Sequence, residues 1–362
     1  MRTEELLSLK TKQPDGAVKK LSKEKWDHVA KPIDGLGIME DVISSIASMK
    51  GKVSFSLDKK ALIIMCADNG VVDEGVTQTD KKVTLDVATL MGKRKSSVGV
   101  MTAHYPLDIF TYDIGMDCDE APEGVIDKKV KRGTEDFLKA PAMSEKECLE
   151  AIYAGIEAVK GCCDKDYGII ATGEMGIGNT TTSTALMCGL LGLEPEEYVG
   201  KGSGLTDKAL EQKKKVIKEG LRIHGFEKRQ SIITDKKEVL RSLGCLGGLD
   251  IAGLAGVFMG GALYGIPVVI DGFISAVAAL VAESLVPGCR EYLVASHMGR
   301  ERGMEPVLSA LSLKPVISAD LALGEGTGAV MLFPMLDMAI SLYLNGTTFE
   351  DTVIEKYERF EK

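Results

Sequence analysis

The sequence is short of aromatic residues and histidine, and it has no metal-binding cysteine pattern. Aromatics are 5% of 362 residues, with one tryptophan, so the core must come from the aliphatic share of the 45% hydrophobic residues. Four histidines lie scattered at 28, 104, 224 and 297, and the eight cysteines contain no C-x-x-C and no zinc-like Cys/His spacing. No metal and no cofactor is expected. An excess of positive charge is also missing: 44 Lys plus Arg against 53 Asp plus Glu leaves −9. That sign argues against nucleic acid or an anionic membrane as the main partner. Met1-Arg2-Thr3-Glu4-Glu5 is acidic and leads into no apolar h-region, so no signal peptide is expected. Cysteines such as Cys66, set in the apolar run Ile64-Met65-Cys66, read as reduced buried thiols. Both features point to a cytoplasmic protein.

Ile251 to Ile270 is uncharged over twenty residues, the nominal length of a membrane span. Five glycines and Pro267 interrupt it, so it reads as a buried helix ending near Gly265 and then a buried strand.

Glycine is abundant, at 40 residues, and its placement organises the chain. Short apolar runs end in loops rich in Gly, Asp, Asn or Glu, and helical patterns such as 179–192, 205–224 and 273–286 follow. The runs are 61–66, 109–112, 168–171, 268–270, 291–295 and 315–318. Such β-α units predict an α/β fold with a mostly parallel sheet flanked by helices. In such a sheet the loops after the strands share one edge, where ligands bind. Residues 1–50 and 335–362 are expected to form a small helical domain from both chain ends, with 51–334 as the large α/β catalytic domain.

Three constellations stand on that edge. Gly173-Glu174-Met175-Gly176-Ile177-Gly178-Asn179-Thr180 follows a strand and opens a helix, with Asn179 or Thr180 as N-cap. Free N–H groups and the helix dipole make this turn an anion site. It fits G-x-x-x-x-G-x-[ST] with Asn179 where a P-loop carries Lys, so one phosphate suits it better than a triphosphate. The alternative is a tight turn whose glycines serve helix packing. In Leu323-Gly324-Glu325-Gly326-Thr327-Gly328, glycines on both sides of a carboxylate allow close substrate approach. Leu321 and Leu323 are expected to desolvate it, as suits a general base; the alternative is a capping turn with a solvated Glu. Finally, Lys213 projects onto the apolar face of the helical pattern 205–224 at ~100° per residue. A phosphate or a snorkelling stem would account for it. His297 also follows a strand and reads as structural or substrate-facing, and Lys128-Lys129-Val130-Lys131-Arg132 reads as a solvated face.

Together these loops resemble the nicotinate-nucleotide–dimethylbenzimidazole phosphoribosyltransferase family. The resemblance is carried by Lys31-Pro32 with Gly35-Leu36-Gly37, Ala67-Asp68-Asn69-Gly70-Val71, Glu74-Gly75-Val76-Thr77 and the Gly173 to Thr181 loop. Gly202-Ser203-Gly204-Leu205, Asp271-Gly272-Phe273 and Leu323 to Ala329 continue it, covering nearly the whole chain. It implies a Rossmann-like sheet, a helical domain from both ends, a homodimer, and transfer of phosphoribose from nicotinate mononucleotide to a benzimidazole-type base in cobamide lower-ligand biosynthesis. Glu325 matches the family's general base and Glu174 a second active-site glutamate. Gly176 and Lys213 match phosphate contacts, beside Gly178, Asn179 and Thr180 of the loop. Met175 and Leu323 match base-pocket positions, and Thr77 and Asp86 stand near that pocket. Asp86 occupies about the place where members using dimethylbenzimidazole often carry glutamine, which leaves adenine, another benzimidazole or a phenolic base open as acceptor. Gly299 and Met304 replace an expected Ser and an expected His or Lys.

Two rival readings remain at this stage: a non-catalytic or heteromeric partner subunit of a paralogous enzyme, and an ATP-dependent kinase using the Gly173 loop. Intact Glu174 and Glu325 oppose the first, and the absent P-loop Lys opposes the second.

Overall fold

A computed structural model describes residues 1–202, 204–227 and 231–359. Among these residues, six strands form one parallel sheet in the order β3-β2-β1-β4-β5-β6. They are β1 (Lys60–Ala67), β2 (Asp108–Gly115), β3 (Val125–Asp127), β4 (Ile169–Met175), β5 (Val268–Ile270) and β6 (Leu293–Ala295). This is the dinucleotide-fold order, in which the direction of winding reverses between β1 and β4 and a crevice opens at their carboxyl ends. All eight residues of β1 are buried, as a central strand covered by helices on both faces requires. Its apolar run Ala61 to Ala67 was therefore legible without alternation.

Two expected strands are placed differently. Residues 315–318 do not join the main sheet; β8 (Ile317–Ser318) pairs in parallel with β7 (His297–Met298) in a separate two-stranded ladder. The sixth position goes instead to β3, beside the basic run. There Lys129 folds back onto the fully buried Asp113 at 3.1 Å, so this residue is not part of a solvated face. Cys289–Tyr292 is a single 3₁₀ turn, which shortens the run 291–295 to the three residues of β6.

The uncharged stretch is a buried helix, Leu249–Tyr264, closed by Gly265 at φ +79° and followed by β5. It packs on Glu145–Cys163 so closely that a side chain on Gly155 would begin 2.0 Å from the Gly253 carbonyl. Only glycine tolerates that approach.

The two chain ends meet. The Tyr343 hydroxyl lies 2.9 Å from both Ser22 Oγ and the Val53 carbonyl, and Val29 bridges to Thr348. The helix Thr327–Asn345 runs unbroken through the expected 334/335 boundary, with Pro334 inside it. It therefore ties the Glu325 loop directly to the terminal helices.

Candidate active site

A cavity of about 320 Å³ opens at the carboxyl edge of the sheet, beside β4. At one end lies the Gly176 loop. The following helix, Asn179–Leu191, is capped by Gly178 at φ +92° and not by a side chain. Asn179 is drawn inward, where its Nδ2 donates to Glu174 Oε2 at 2.5 Å and to Asp250 Oδ2 at 3.0 Å. This long-range pull is why the expected Asn179 or Thr180 cap is not formed. Among the described residues, no acceptor is paired with the N–H groups of Gly178 and Thr180, which face the dipole end of a thirteen-residue helix. Lys213, from the helix Asp207–Ile223, is 1% exposed and donates from Nζ to Thr180 Oγ1 at 2.8 Å. Burial lowers its ammonium to about 8, with Glu301 opposing. A cation held this way gains by meeting an anion.

Carboxylates line the same cavity. Glu325 has φ +60° between Gly324 at +86° and Gly326 at +83°. Three successive left-handed residues, one with a side chain, store strain of the kind kept at functional sites. Asp271 holds the turn: its Oδ2 accepts from Gly326 N–H at 3.1 Å and its Oδ1 from Ala329 N–H at 2.9 Å. Glu325 Oε2 accepts from Val98 N–H at 3.2 Å. Glu174 is 8% exposed, and a side chain on Gly324 would begin 3.0 Å from its Oε1, so the two glutamate loops adjoin. Burial, then the Asp250 charge, pushes Glu174 up to about 8, so it is largely protonated at neutral pH. Burial likewise raises Asp271 to about 6 against four backbone N–H groups.

A phosphoribosyltransferase family profile matches residues 11–354. The nicotinate-nucleotide–dimethylbenzimidazole phosphoribosyltransferase of Clostridium acetobutylicum is 42% identical over 95% of this chain and 96% of its own length. The chain belongs to this family. The phosphoribosyltransferase of the same description from Acetivibrio thermocellus is 42% identical over 92% of each chain. A crystal structure of CobT from Thermus thermophilus superposes with a TM-score of 0.86 at 32% identity, covering 94% of this chain and all of that one.

Within this phosphoribosyltransferase, ten of the eleven site residues singled out from sequence line the one cavity: Thr77, Glu174, Met175, Gly176, Gly178, Asn179, Thr180, Lys213, Leu323 and Glu325. Asp86 does not. It is exposed on the helix Lys82–Gly92, opposite Thr84, Ala88 and Met91, which turn inward, and the apolar Val87 lines the cavity in its stead. The desolvation expected for Glu325 is found around Glu174 instead, because Leu323 is 57% exposed. Met304 is fully buried and does not reach the cavity. Ser203 lies outside the described residues.

Sequence reasoning missed two contributors, Asp271 as the anchor of the Glu325 turn and Glu301 beside Lys213 and His297. The signal for Asp271 was present, as a lone acid ending the apolar run Val268-Val269-Ile270. His297 is 3% exposed and lines the cavity, and burial lowers its ring below the usual imidazole range.

Proposed function

We propose that this chain transfers phosphoribose from nicotinate mononucleotide to 5,6-dimethylbenzimidazole or a related aromatic base. The products are an α-ribazole-type 5'-phosphate and nicotinate, as required for the lower ligand of cobamides. The observation that carries the reading is the polarity of one cavity. Its lining joins Lys213, Thr180 and the unpaired N–H groups of Gly178 and Thr180 to two adjoining glutamate loops and the apolar Val76, Val87, Met175 and Leu323.

Nicotinate departs from a pyridinium and needs no acid. Positive charge then develops at the anomeric carbon, and an azole nitrogen attacks from the opposite face. Glu325 accepts the proton that the azole gives up, since it is the carboxylate presented on a strained, glycine-flanked turn at the cavity wall. Glu174, held protonated, is a hydrogen-bond donor at neutral pH and leaves Glu325 as the acceptor. Direct displacement needs no covalent intermediate on the protein.

We also propose a homodimer. Met331, Met338 and Leu342 form an exposed stripe on Thr327–Asn345, near exposed Val100 and Met101. Sedimentation at micromolar concentration giving only monomer would remove that part. A cytoplasmic location suits eight unpaired thiols.

The test is nicotinate release by the purified chain with nicotinate mononucleotide and dimethylbenzimidazole, benzimidazole, adenine, phenol or p-cresol. Release that depends on one base is expected and identifies the acceptor class. A folded chain that binds the nucleotide but releases nothing with any base would favour a partner subunit.

A further inference from the structure

Beneath the phosphate loop lies a polar chain whose far end, Asp250, has no part in the transfer chemistry described above. Asp250 stands in the first turn of Leu249–Tyr264 and is wholly inaccessible. Its Oδ1 accepts from Ile251 N–H at 3.0 Å and its Oδ2 from Asn179 Nδ2 at 3.0 Å. That same amide nitrogen has only two hydrogens, and the other goes to Glu174 Oε2. Two buried carboxyl groups therefore share one neutral donor. A side chain on Gly176 would begin 2.6 Å from Asp250 Oδ2, so Asp250 is also the floor of the loop on which a phosphate would rest.

The charges around this chain are mostly of one sign. Asp271, at the end of β5, and Glu301 face Glu174, and Asp68, at the end of β1, faces Asp250. The Cys66 thiol on β1 is near both and is pushed up by burial and by these acids. Glu325 follows the glycine that touches Glu174. Lys213 and His297 line the same cavity, but Lys213 is bonded to Thr180 and His297 to Ser296. No cation is paired with either carboxyl group of the Asp250–Asn179–Glu174 chain among the described residues. Two like charges bridged by one amide in a dry interior do not both persist.

We propose that Asp250 is a positioning residue for the reaction: through Asn179 it keeps one proton on the Glu174 carboxyl group, so that the cavity accepts an anionic nucleotide and has Glu325 as its acceptor. This rests on the transferase reading for its purpose, but not for its geometry. At neutral pH Asp250 carries the negative charge and Glu174 the proton, because Glu174 sits among more acids and has one donor where Asp250 has two. A phosphate arriving on Gly176 then meets one buried charge below it and not two.

Asp250→Asn tests this in the full chain. Removing the charge lets Glu174 ionise sooner, so the alkaline limb of kcat/KM should move down by about one pH unit. A pH profile superimposed on that of the wild type overturns the proposal, since a residue that only packs would leave the limb in place. Infrared difference spectra of the unmutated protein keep the test open even where Asp250→Asn fails to fold. At pH 7 they should show the C=O stretch of a protonated carboxylic acid that Glu174→Gln lacks, and absence of that band in the wild type overturns the proposal. The infrared arm needs no substrate, so its failure is distinct from a failure to find the acceptor base.

Discussion

Gly173→Ala is the most informative single change for the placement of Glu325. Gly173 lies in β4, and a side chain there would begin 2.8 Å from the Gly326 nitrogen and 2.9 Å from the Glu325 carbonyl carbon and oxygen. All three are backbone atoms and cannot rotate away. Ordinary contact begins at 3.4 Å, so the strand and the glutamate turn must part by about half an ångström. Asp271 resists that movement through Gly326 and Ala329. A misplacement of ~1 Å costs ~100-fold in rate, so half of it predicts a fall in kcat of about tenfold, or about 1.4 kcal/mol. Overpacking should also cost about 1–3 kcal/mol of stability, visible as a lower melting temperature. The atoms nearest a side chain on Gly173 belong to Glu325 and Gly326 and not to Gly176, Thr180 or Lys213, so nucleotide affinity by calorimetry should stay within about twofold, well under the ~1.4 kcal/mol of a tenfold change. The assay is base-dependent nicotinate release at saturating nucleotide, with circular dichroism at the assay temperature to show the fold is kept. Wild-type kcat from a folded Gly173→Ala protein would refute the idea that this contact positions Glu325.

Other changes separate the remaining parts. Glu325→Gln should abolish base-dependent transfer by about 100-fold or more, within the range of a lost general base, while calorimetry shows nucleotide binding largely kept; wild-type-like turnover would remove Glu325 from the base role. Lys213→Met should weaken nucleotide binding by about 10- to 100-fold, as the loss of a charge-assisted hydrogen bond of ~1.5–3 kcal/mol implies. Because burial lowers Lys213 to about 8, below its unfolded value, the unfolded chain binds more protons between there and about 10.5. The empty wild type should therefore gain stability relative to Lys213→Met as pH rises through that window, and a melting-temperature difference that stays flat would refute this. Asp271→Asn leaves one oxygen to accept where two now do, so kcat should fall about tenfold or more with the KM for nucleotide little changed. A change confined to KM would show that Asp271 serves binding instead.

Much of this was legible in the sequence, for reasons that also explain the misses. Central strands of a parallel sheet are buried on both faces, so β1 and β4 read directly from unbroken apolar runs. The Glu325 turn was visible because left-handed backbone on both sides of a side chain demands glycine there. Lys213 was visible because helical periodicity put a cation among Val216, Ile217 and Leu221. Asp86 was misplaced because similarity of position along a helix does not say which side meets the cavity. The cap of Asn179–Leu191 was misassigned because Asn179 answers to Glu174 and Asp250, the latter 71 residues away. Short β3 and β8 were missed or misplaced because strands of two or three residues are defined by their neighbours and carry almost no pattern of their own.

Lys213 reaches the Gly176 loop from a different helix, whereas a P-loop carries its lysine within the loop itself. Cation and loop are therefore supplied by separate elements. Substitutions at Val216, Ile217 and Leu221 would shift the ammonium from a helix that lies outside the Glu174 loop. A library at those three buried positions would sample grip on the nucleotide from outside the two glutamate loops. The two halves of the site can thus be selected in succession, each without undoing the other.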